Sequence, residues 1–546
     1  MKSRSLYALL VPFILSSLGL SSCQAVQSVQ AQPNSGAFIA QSIVAPDCNN
    51  GNHIRAIHAV DRNTVTFELC APDRTFPAKV GVPAFSIQDD VVLNQTQGDP
   101  EQISLIANGT GPFRITKTAE DSLFVGQWNN YWGIPVRLQL ITFTWNSDAE
   151  IRRKNLSLRT ADGISAVDPM DVGTILLDDF LKVEESPVIN TVFLGMNNTL
   201  APFDNLLFRQ ALATAIDRQK LADDLFGSSA QSADELVPVL FPTGHSNTST
   251  GYVYNTEKAQ ETLSQSNFDL DQELVLSYDQ TSSGLIPYPD KLAEELAQEL
   301  KMIGVKVQLN PLPTQEFQQS LSEGKLGLYF MAFSPDYPDA NSFFEPLFSQ
   351  DNPMIGKTDP VVAGKIAAAL ATSDTTVIQE NYDDINEWVK NQAPLIPLVY
   401  TNEAYAYRTA VDGILNGAFG ESFAQMATTT KSLTFMQADK PGTLWPVDFS
   451  SEDTLRITRL VFDTLTSYDP AALLTQPSLA DTWSSNADFT EWTFLLRYDV
   501  PFSDGKTLDA NDVVATFAAQ ADRTSPNHRP DLNYDYYQRM FGNFMK

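Results

Sequence analysis

Residues Glu273 to Leu309 read ELVLSYDQTSSGLIPYPDKLAEELAQELKMIGVKVQL and predict a strand, a helix and a second strand, in that order. The short apolar run ELVLSYD and the alternating VKVQL are typical of strands. Between them, Asp290 is the expected N-cap of a helix and Gly304 its expected stop. The apolar positions on one face of that helix are Leu292, Leu296, Leu300 and Ile303. Because a strand, helix, strand crossover joins parallel strands, this stretch predicts an α/β fold.

The length and charge of the chain restrict its class. At 546 residues it exceeds one ordinary domain of about 100–200 residues, so two or three domains are expected. The 66 acidic residues outnumber the 36 basic ones, and the formal net charge is -30. Such a charge disfavours nucleic acid and anionic membrane surfaces as partners, and it favours a soluble monomer.

Residues 1–23 have the pattern of a bacterial export signal. Two basic residues precede an apolar stretch from Leu6 to Leu20, which is shorter than the about 20 residues that a membrane-spanning helix needs. The LSSC that follows resembles a lipobox, and this resemblance implies cleavage before Cys23 and a lipid on its sulfur. An ordinary signal with an incidental cysteine is the alternative. Residues 24–35 are polar and predict a flexible tether.

Cys48 and Cys70 are the remaining cysteines. In an oxidising compartment two thiols favour one disulfide. Their spacing in the sequence does not set the geometry of a bond, so two separate buried thiols remain the alternative.

Further helices and strands follow from the same patterns. LLFRQALATAIDRQKLADDLFG, residues 206–227, predicts one amphipathic helix that ends at Gly227. QENYDDINEWVKN predicts a helix before the strand-like PLIPLVY, and EWTFLLR alternates as a half-buried strand does. Asp509 is the expected N-cap of a helix whose first turn carries Asp512.

No motif in the sequence indicates catalysis. There is no GxSxG elbow, no HExxH motif, no Cys/His cluster with zinc spacing and no GxxxxGK[ST] loop. The four histidines are His53, His58, His245 and His528. We therefore expect no catalytic residue, no cofactor and no metal site, with a secreted hydrolase as a distant alternative.

Eight stretches together resemble the family 5 extracellular solute-binding proteins of ABC importers, of the oligopeptide- and dipeptide-binding type. They are PSLADTWSSNADFTEWTFLLRYDVPFSDGKTLDANDVVATF, NTVTFELCAPDRTF, GTGPFRI, WNNYWG, APFDNLLFRQALATAIDRQKL, YNTEKAQETL, LAQELKMIGVKVQL and SPDYPDANSFFEPLF. The resemblance implies a two-lobed periplasmic-binding-protein fold of type II with a small subsidiary domain. It also implies capture of peptides in the cleft between the lobes and delivery to ABC permease subunits with a separate ATPase.

The order of these stretches departs from the family pattern. The segment Pro477–Phe517 resembles one that lies near the mature N-terminus of the family, yet here it comes last. The resemblance therefore implies a circular permutation, with the ancestral ends joined around Thr428–Leu444 and new ends at Gly36 and Lys546. A misassembled gene is the alternative.

The domain boundaries expected from this order combine distant segments. They are 36–107 plus 471–546 for the subsidiary domain, 108–245 plus 417–470 for lobe I, and 246–416 for lobe II.

The resemblance also implies ligand contacts. In FSPDYPDANSFF, Asp336 matches the family aspartate that pairs with the α-ammonium of a peptide, while Tyr337 and Phe333 are candidate neighbours. Phe333 stands where peptide binders often carry tryptophan, which leaves the ligand open. From the opposite lobe, VDFSSEDTLRI supplies Glu452 and Arg456 as further candidates.

Structural roles are the alternative for these residues. Asp336 is then part of a turn, Asp339 caps the next helix, and VDFSSEDTLRI is a solvated loop. The solute is also open, since an oligosaccharide, a nickel chelate, haem or an opine-like compound suits the same fold. A third alternative is a tethered receptor or chaperone. The expected location is the periplasm or the outer face of the cell membrane, with lipid attachment at Cys23.

Overall fold

The computed structural model describes residues 38–226, 230–246 and 251–546. The predicted export signal, the predicted lipid attachment at Cys23, the predicted tether and the predicted helix end at Gly227 lie outside these residues. Among the described residues, no helix combines the length and apolar character needed to cross a bilayer.

Three mixed or antiparallel sheets organise the described chain. The five-stranded sheet runs, in spatial order, Ser42–Val44, Ile54–Asp61, Thr64–Leu69, Glu491–Leu496 and Ala480–Ser485. The seven-stranded sheet runs Phe113–Thr118, Ser122–Gln127, Leu140–Trp145, Ser432–Gln437, Gly163–Ile164, Ala404–Arg408 and Leu181–Glu185. The six-stranded sheet runs Gln231–Ser232, Leu395–Thr401, Asn190–Met196, Leu328–Phe333, Glu273–Asp279 and Lys306–Leu312.

Helices and two short strand pairs complete the described architecture. The pairs are Asn416–Gly417 with Gly420–Glu421, and Thr466–Tyr468 with Thr475–Pro477. The α-helices are Phe76–Lys79, Asp90–Thr96, Pro100–Ile106, Ala149–Ser157, Val172–Ile175, Leu206–Ala215, Arg218–Leu225, Thr256–Gln265, Pro289–Met302, Thr314–Ser322, Asn341–Phe348, Pro360–Leu370, Thr375–Gln392, Glu452–Val461, Ala510–Ala521 and Asp535–Phe541. Short 3₁₀ helices cover Pro83–Phe85 and Pro169–Asp171.

The predicted parallel unit is confirmed. Strands Glu273–Asp279 and Lys306–Leu312 pair in parallel, and the helix between them is Pro289–Met302. The apolar face of this helix is buried, with Leu292, Leu296 and Leu300 fully enclosed. The predicted cap is wrong, since Tyr288 is the N-cap and Asp290 instead accepts a hydrogen bond from the Tyr278 hydroxyl.

The predicted helix over 206–227 is two helices. The first ends at Ala215, and Ile216 has an extended backbone. Asp217 then caps the second helix, because its side chain accepts a hydrogen bond from the backbone amide of Lys220. An aspartate inside an amphipathic pattern thus starts a new helix rather than continuing the old one.

Two crossings join the seven-stranded sheet to the six-stranded sheet among the described strands. One passes through Ser186, and the other through Asn402 and Glu403. The crossings are bonded to each other, since the Ser186 amide donates to the Glu403 carbonyl at 2.9 Å and the Asn402 side chain donates to the Ser186 carbonyl at 2.8 Å. We call each sheet with its helices a lobe, and the two bonded crossings the hinge pair.

The predicted lobe boundaries do not coincide with the sheets. Residues 190–245 were expected in lobe I, yet their strand Asn190–Met196 lies at the centre of the six-stranded sheet. The strand Ala404–Arg408, expected in lobe II, belongs to the seven-stranded sheet. The difference arises because the chain changes lobe at the hinge pair, where no linker composition marks the change.

The five-stranded sheet joins segments from both halves of the sequence. Strand Glu491–Leu496 pairs with Thr64–Leu69, and the backbone amide of His53 donates to the carbonyl of Phe541 at 2.8 Å. Cys48 and Cys70, whose pairing was open, form a disulfide with Cα atoms 5.6 Å apart. It closes a loop of sequence separation 22 around the strand Ile54–Asp61.

Lys506 ties the two sequence halves together electrostatically. Its ammonium lies 2.7 Å from the Asp89 carboxylate and 2.8 Å from that of Asp512, and it also contacts Asp90. Burial raises the pKa of Asp512 to about 7, against the opposing effect of Lys506. One cation therefore offsets three neighbouring carboxylates that meet only in the folded chain.

We expect Lys506→Met to destabilise the protein by about 2–3 kcal/mol, because it leaves partly buried carboxylates without their cation. The matched control is Lys258→Met, which removes an exposed pair with Glu261 and is expected to cost under about 1 kcal/mol. Urea unfolding followed by fluorescence measures both variants. Equal midpoints for the two variants would contradict the role assigned to Lys506.

Candidate functional site

A cleft lies between the two lobes. Its larger part is a cavity of about 630 Å³, lined by residues 281–284 from the six-stranded lobe and residues 165–168 from the seven-stranded lobe. A second cavity of about 320 Å³ continues from it, and the two share Ser283, Glu403 and Glu452. Both volumes fall in the range of about 300–1,000 Å³ that small-ligand sites occupy. We call the two cavities together the cleft.

Glu403 brings a carboxylate from the hinge pair into the cleft. Its backbone amide donates to the Ser186 hydroxyl at 3.0 Å, and its Oε2 accepts from the Tyr405 hydroxyl at 2.8 Å. Burial raises the pKa of Glu403 to about 7, while Arg456 and the Tyr405 hydrogen bond act in the opposite direction. The nearby carboxylates Glu452 and Asp453 add to the increase.

Carboxylates outnumber cations around the larger cavity. Its acidic lining residues are Asp168, Asp279, Glu403, Asp439, Glu452 and Asp453. Among the described lining residues the cation is Arg152, whose guanidinium donates to four backbone carbonyls. Burial, aided by Asp453, raises the pKa of Asp439 despite Arg152. The cavity therefore has a negative wall with no cation left uncommitted in its described lining.

Asp336 lines the smaller cavity and already has a cationic partner. Its Oδ2 lies 2.9 Å from Nε of Arg539, on the helix Asp535–Phe541, without the alignment of a hydrogen bond. Burial raises the pKa of Asp336, and Arg539 opposes that increase. Among the described residues the Asp336 carboxylate accepts no hydrogen bond, so it can take one from another donor.

Phe333 and Tyr337 lie behind the wall of the cleft. The Arg539 guanidinium lies between two rings, 5.0 Å from the centroid of Phe333 and 5.5 Å from that of Phe449. Tyr337 is 1% exposed, and its hydroxyl accepts a hydrogen bond from Asn341 at 3.2 Å. In the part of the chain that the structure describes, neither predicted aromatic lines the two cavities. Phe333 acts through Arg539 instead.

Glu452 and Arg456 lie on a helix, Glu452–Val461, and not on the loop that the sequence suggested. Glu452 lines both cavities and binds Arg459 through two contacts of 2.5 and 3.1 Å. Burial would raise the pKa of Glu452, but Arg459 holds it below its usual value. Arg456 is 2% exposed and binds Glu421 at 3.0 Å and also Asp453, so it supports the wall rather than lining it.

Sequence reasoning missed Glu403 and Arg539. Glu403 follows a strand that the sequence did predict, but only the pairing with Ser186, more than 200 residues earlier, shows that it lies at a crossing. Arg539 lies 203 residues after Asp336 in the sequence, and no local pattern links the two.

Comparison with known families gives one match over most of the chain. The model of bacterial extracellular solute-binding proteins, family 5 middle, matches residues 25–354 and 475–537. Both segments that build the five-stranded sheet fall within this match.

Individual proteins show the same relationship. The chain is 24% identical to the dipeptide-binding protein of Escherichia coli (strain K12) over 378 residues, which is 67% of this chain and 70% of that protein. It is 26% identical to heme-binding protein A of Haemophilus influenzae over 383 residues, 67% and 68% of the two chains. A Pseudoalteromonas dipeptide-binding protein solved with Met-Leu has a TM-score of 0.61 at 22% identity, covering 69% of this chain and 76% of its own. The last comparison supports the fold alone.

The raised pKa of Glu403 predicts a pH-dependent effect on stability. Because the folded carboxyl has a pKa of about 7 against 4.5 for the unperturbed group, the folded state holds the proton more tightly. Glu403 therefore destabilises the fold progressively as pH rises from 4.5 to 7, and fully above 7. Glu403→Gln should raise the melting temperature at pH 8 by about 1–2 °C more than it does at pH 4.5.

Melting curves of wild type and variant at the two pH values measure this difference. Glu257→Gln, which removes an exposed helix carboxylate far from the cleft, is the matched control and should show no such pH dependence. A Glu403→Gln effect that is equal at both pH values would refute the assignment.

Proposed function

Because this chain belongs to the bacterial extracellular solute-binding proteins of family 5, we propose that it captures a peptide in the cleft and delivers it to an ABC permease. The observation that carries the proposal is the cleft itself, a ligand-sized space between two lobes joined at the hinge pair. Bending at two adjacent crossings closes such a cleft without unfolding either lobe. The family is one of solute-binding proteins, not of enzymes.

A peptide suits the polar groups of the cleft. The Asp336 carboxylate accepts no hydrogen bond in the described chain, and a peptide α-ammonium would supply a charge-assisted one. Arg539 favours the ionised form of this carboxylate, against the effect of burial, and orients it for that contact. Glu452, oriented by Arg459, contacts the ligand from the opposite lobe. The dipeptide-binding relative supports this class of solute.

The chain around this binding module has further proposed features. The export signal, lipid attachment at Cys23, location outside the cytoplasmic membrane and a monomeric state follow from the sequence patterns. Hydrolysis of ATP belongs to a separate subunit, since the chain has no phosphate-binding loop motif.

The permuted order of the family motifs is likewise a proposal. It is supported by the five-stranded sheet, in which residues 480–496 complete a sheet begun by residues 42–69. A chain with residues 431–546 placed before residues 36–430 should melt within about 2 °C of the natural order, because the same contacts form. Failure of this chain to unfold cooperatively would argue against interchangeable orders.

Ligand binding is tested by mass spectrometry of solutes released on unfolding, followed by melting curves with added peptides. A peptide at 100 times its Kd should stabilise the protein by about 2.7 kcal/mol. Asp336→Asn should weaken binding of free-amine peptides about tenfold more than that of N-acetylated ones. Asp271→Asn, at a side chain that is 94% exposed, is the control.

The outcomes separate the alternatives. A cooperative melt that no peptide shifts would overturn peptide binding, and haem, the solute named for one relative, would then be the next probe.

A further inference from the structure

The cleft contains unpaired negative charge beyond the Asp336 site. In the described residues, Arg152 and Arg459 line the cleft and Arg456 and Arg539 lie behind its wall, and each is committed to carbonyls or carboxylates. Glu403 has no such ion pair, and its hydrogen-bond donor is the neutral Tyr405 hydroxyl. A negatively charged ligand group entering this cavity would meet repulsion, whereas a cation would meet a carboxylate without a counter-ion.

Glu403 lies between the two lobes and contacts both. Its backbone belongs to the hinge pair, while its side chain points across to residues 281–284 of the six-stranded lobe. A Cβ atom added to Gly284 would lie 2.7 Å from Glu403 Oε1. Glu403 is also one of the residues that line both cavities.

The surroundings of Glu403 leave Oε1 available to a ligand. Tyr405 occupies Oε2, and Arg456 approaches from behind the wall with its bonds directed to Glu421, Gln437 and Asp453. The Glu403 carboxyl packs against Gly284, where a side chain would collide with it, and Oε1 accepts no hydrogen bond from the described residues. The structure thus combines a cavity, an ionisable group at its floor and the absence of a described cationic partner for that group.

We propose that Glu403 selects peptides with a basic side chain, by binding its ammonium or guanidinium group at the floor of the cleft. The inference rests on the proposed function and specifies the class of peptide. The carboxylate of Asp439 adds to the attraction, while Asp336 remains the partner of the peptide terminus. Peptides with acidic side chains are excluded by the same charges.

The pH dependence follows from the groups around Glu403. Burial raises its pKa, Arg456 and Tyr405 oppose this, and Glu452 and Asp453 reinforce it. A cationic side chain binds the ionised carboxyl, so selectivity should be full at pH 8 and reduced at pH 5.5, where the carboxyl is protonated in the free protein.

The experiment compares three tripeptides that differ at one side chain: Ala-Lys-Ala, Ala-norleucine-Ala and Ala-Glu-Ala. Isothermal titration at pH 8 gives the affinity ratio between the lysine peptide and its uncharged norleucine counterpart. We expect a ratio of about 10 or more in the natural protein, the value of one charge-assisted hydrogen bond. The glutamate peptide should bind more weakly than either.

Two variants test whether Glu403 causes the preference for the lysine peptide. Glu403→Gln should reduce the lysine to norleucine ratio to about 1, whereas Glu257→Gln, with the same loss of charge on an exposed helix, should keep it. If Glu403→Gln does not fold, the natural protein alone provides the test, because its ratio should fall severalfold between pH 8 and pH 5.5.

Each other result overturns the inference. If the natural protein binds peptides with a lysine to norleucine ratio near 1, Glu403 is not the selecting group. The same conclusion follows if the ratio is unchanged by both Glu403→Gln and low pH. In either case the proposal of peptide binding stands. Binding of none of the three peptides removes the proposed function and the selectivity together.

Discussion

The hydrogen bonds between Ser186 and the Asn402–Glu403 segment are the constraint on which the cleft depends. They hold the two described chain crossings between the lobes side by side, so bending at the two crossings shares one axis. Each lobe retains its own buried core on either side of this axis. Closure therefore changes the width of the cleft while the packing of the lobes is preserved. Glu403 belongs to the hinge pair and also faces the cleft, so its surroundings depend on both.

Charge is distributed in this molecule according to burial. Where arginines approach the cleft, carboxylates or carbonyls already satisfy them, and the pairs Arg459 with Glu452 and Arg539 with Asp336 orient carboxylates rather than present free cations. These pairs are half-buried, so their value lies in orientation more than in stability, since desolvation offsets much of the attraction. Part of the excess of acidic residues in the sequence thus lines the cleft and makes its wall negative.

Whether a feature could be predicted from the sequence depends on how far apart in the chain its interacting residues lie. The unit from Glu273 to Leu312 was predictable because its periodicity, its turn residues and its parallel pairing are all local. The break at Asp217 had a local signal, an aspartate before RQKL, that the apolar periodicity concealed. By contrast, the crossing of the chain between lobes at Glu403 and the ion pair between Asp336 and Arg539 depend on contacts between residues more than 200 positions apart. Local sequence composition does not predict such contacts. The helix Glu452–Val461 was taken for a loop because its apolar positions are interrupted by charged residues whose partners lie elsewhere in the fold.

The disulfide between Cys48 and Cys70 has a mechanical consequence. A pulling force that arrives along the chain before Ser42 would normally load the hairpin formed by Ile54–Asp61 and Thr64–Leu69. The covalent bond instead passes the load from residue 48 directly to residue 70 and bypasses that hairpin. Tension on the leading segment would therefore reach residue 70 through the covalent bond, and the hairpin between the two cysteines would stay folded.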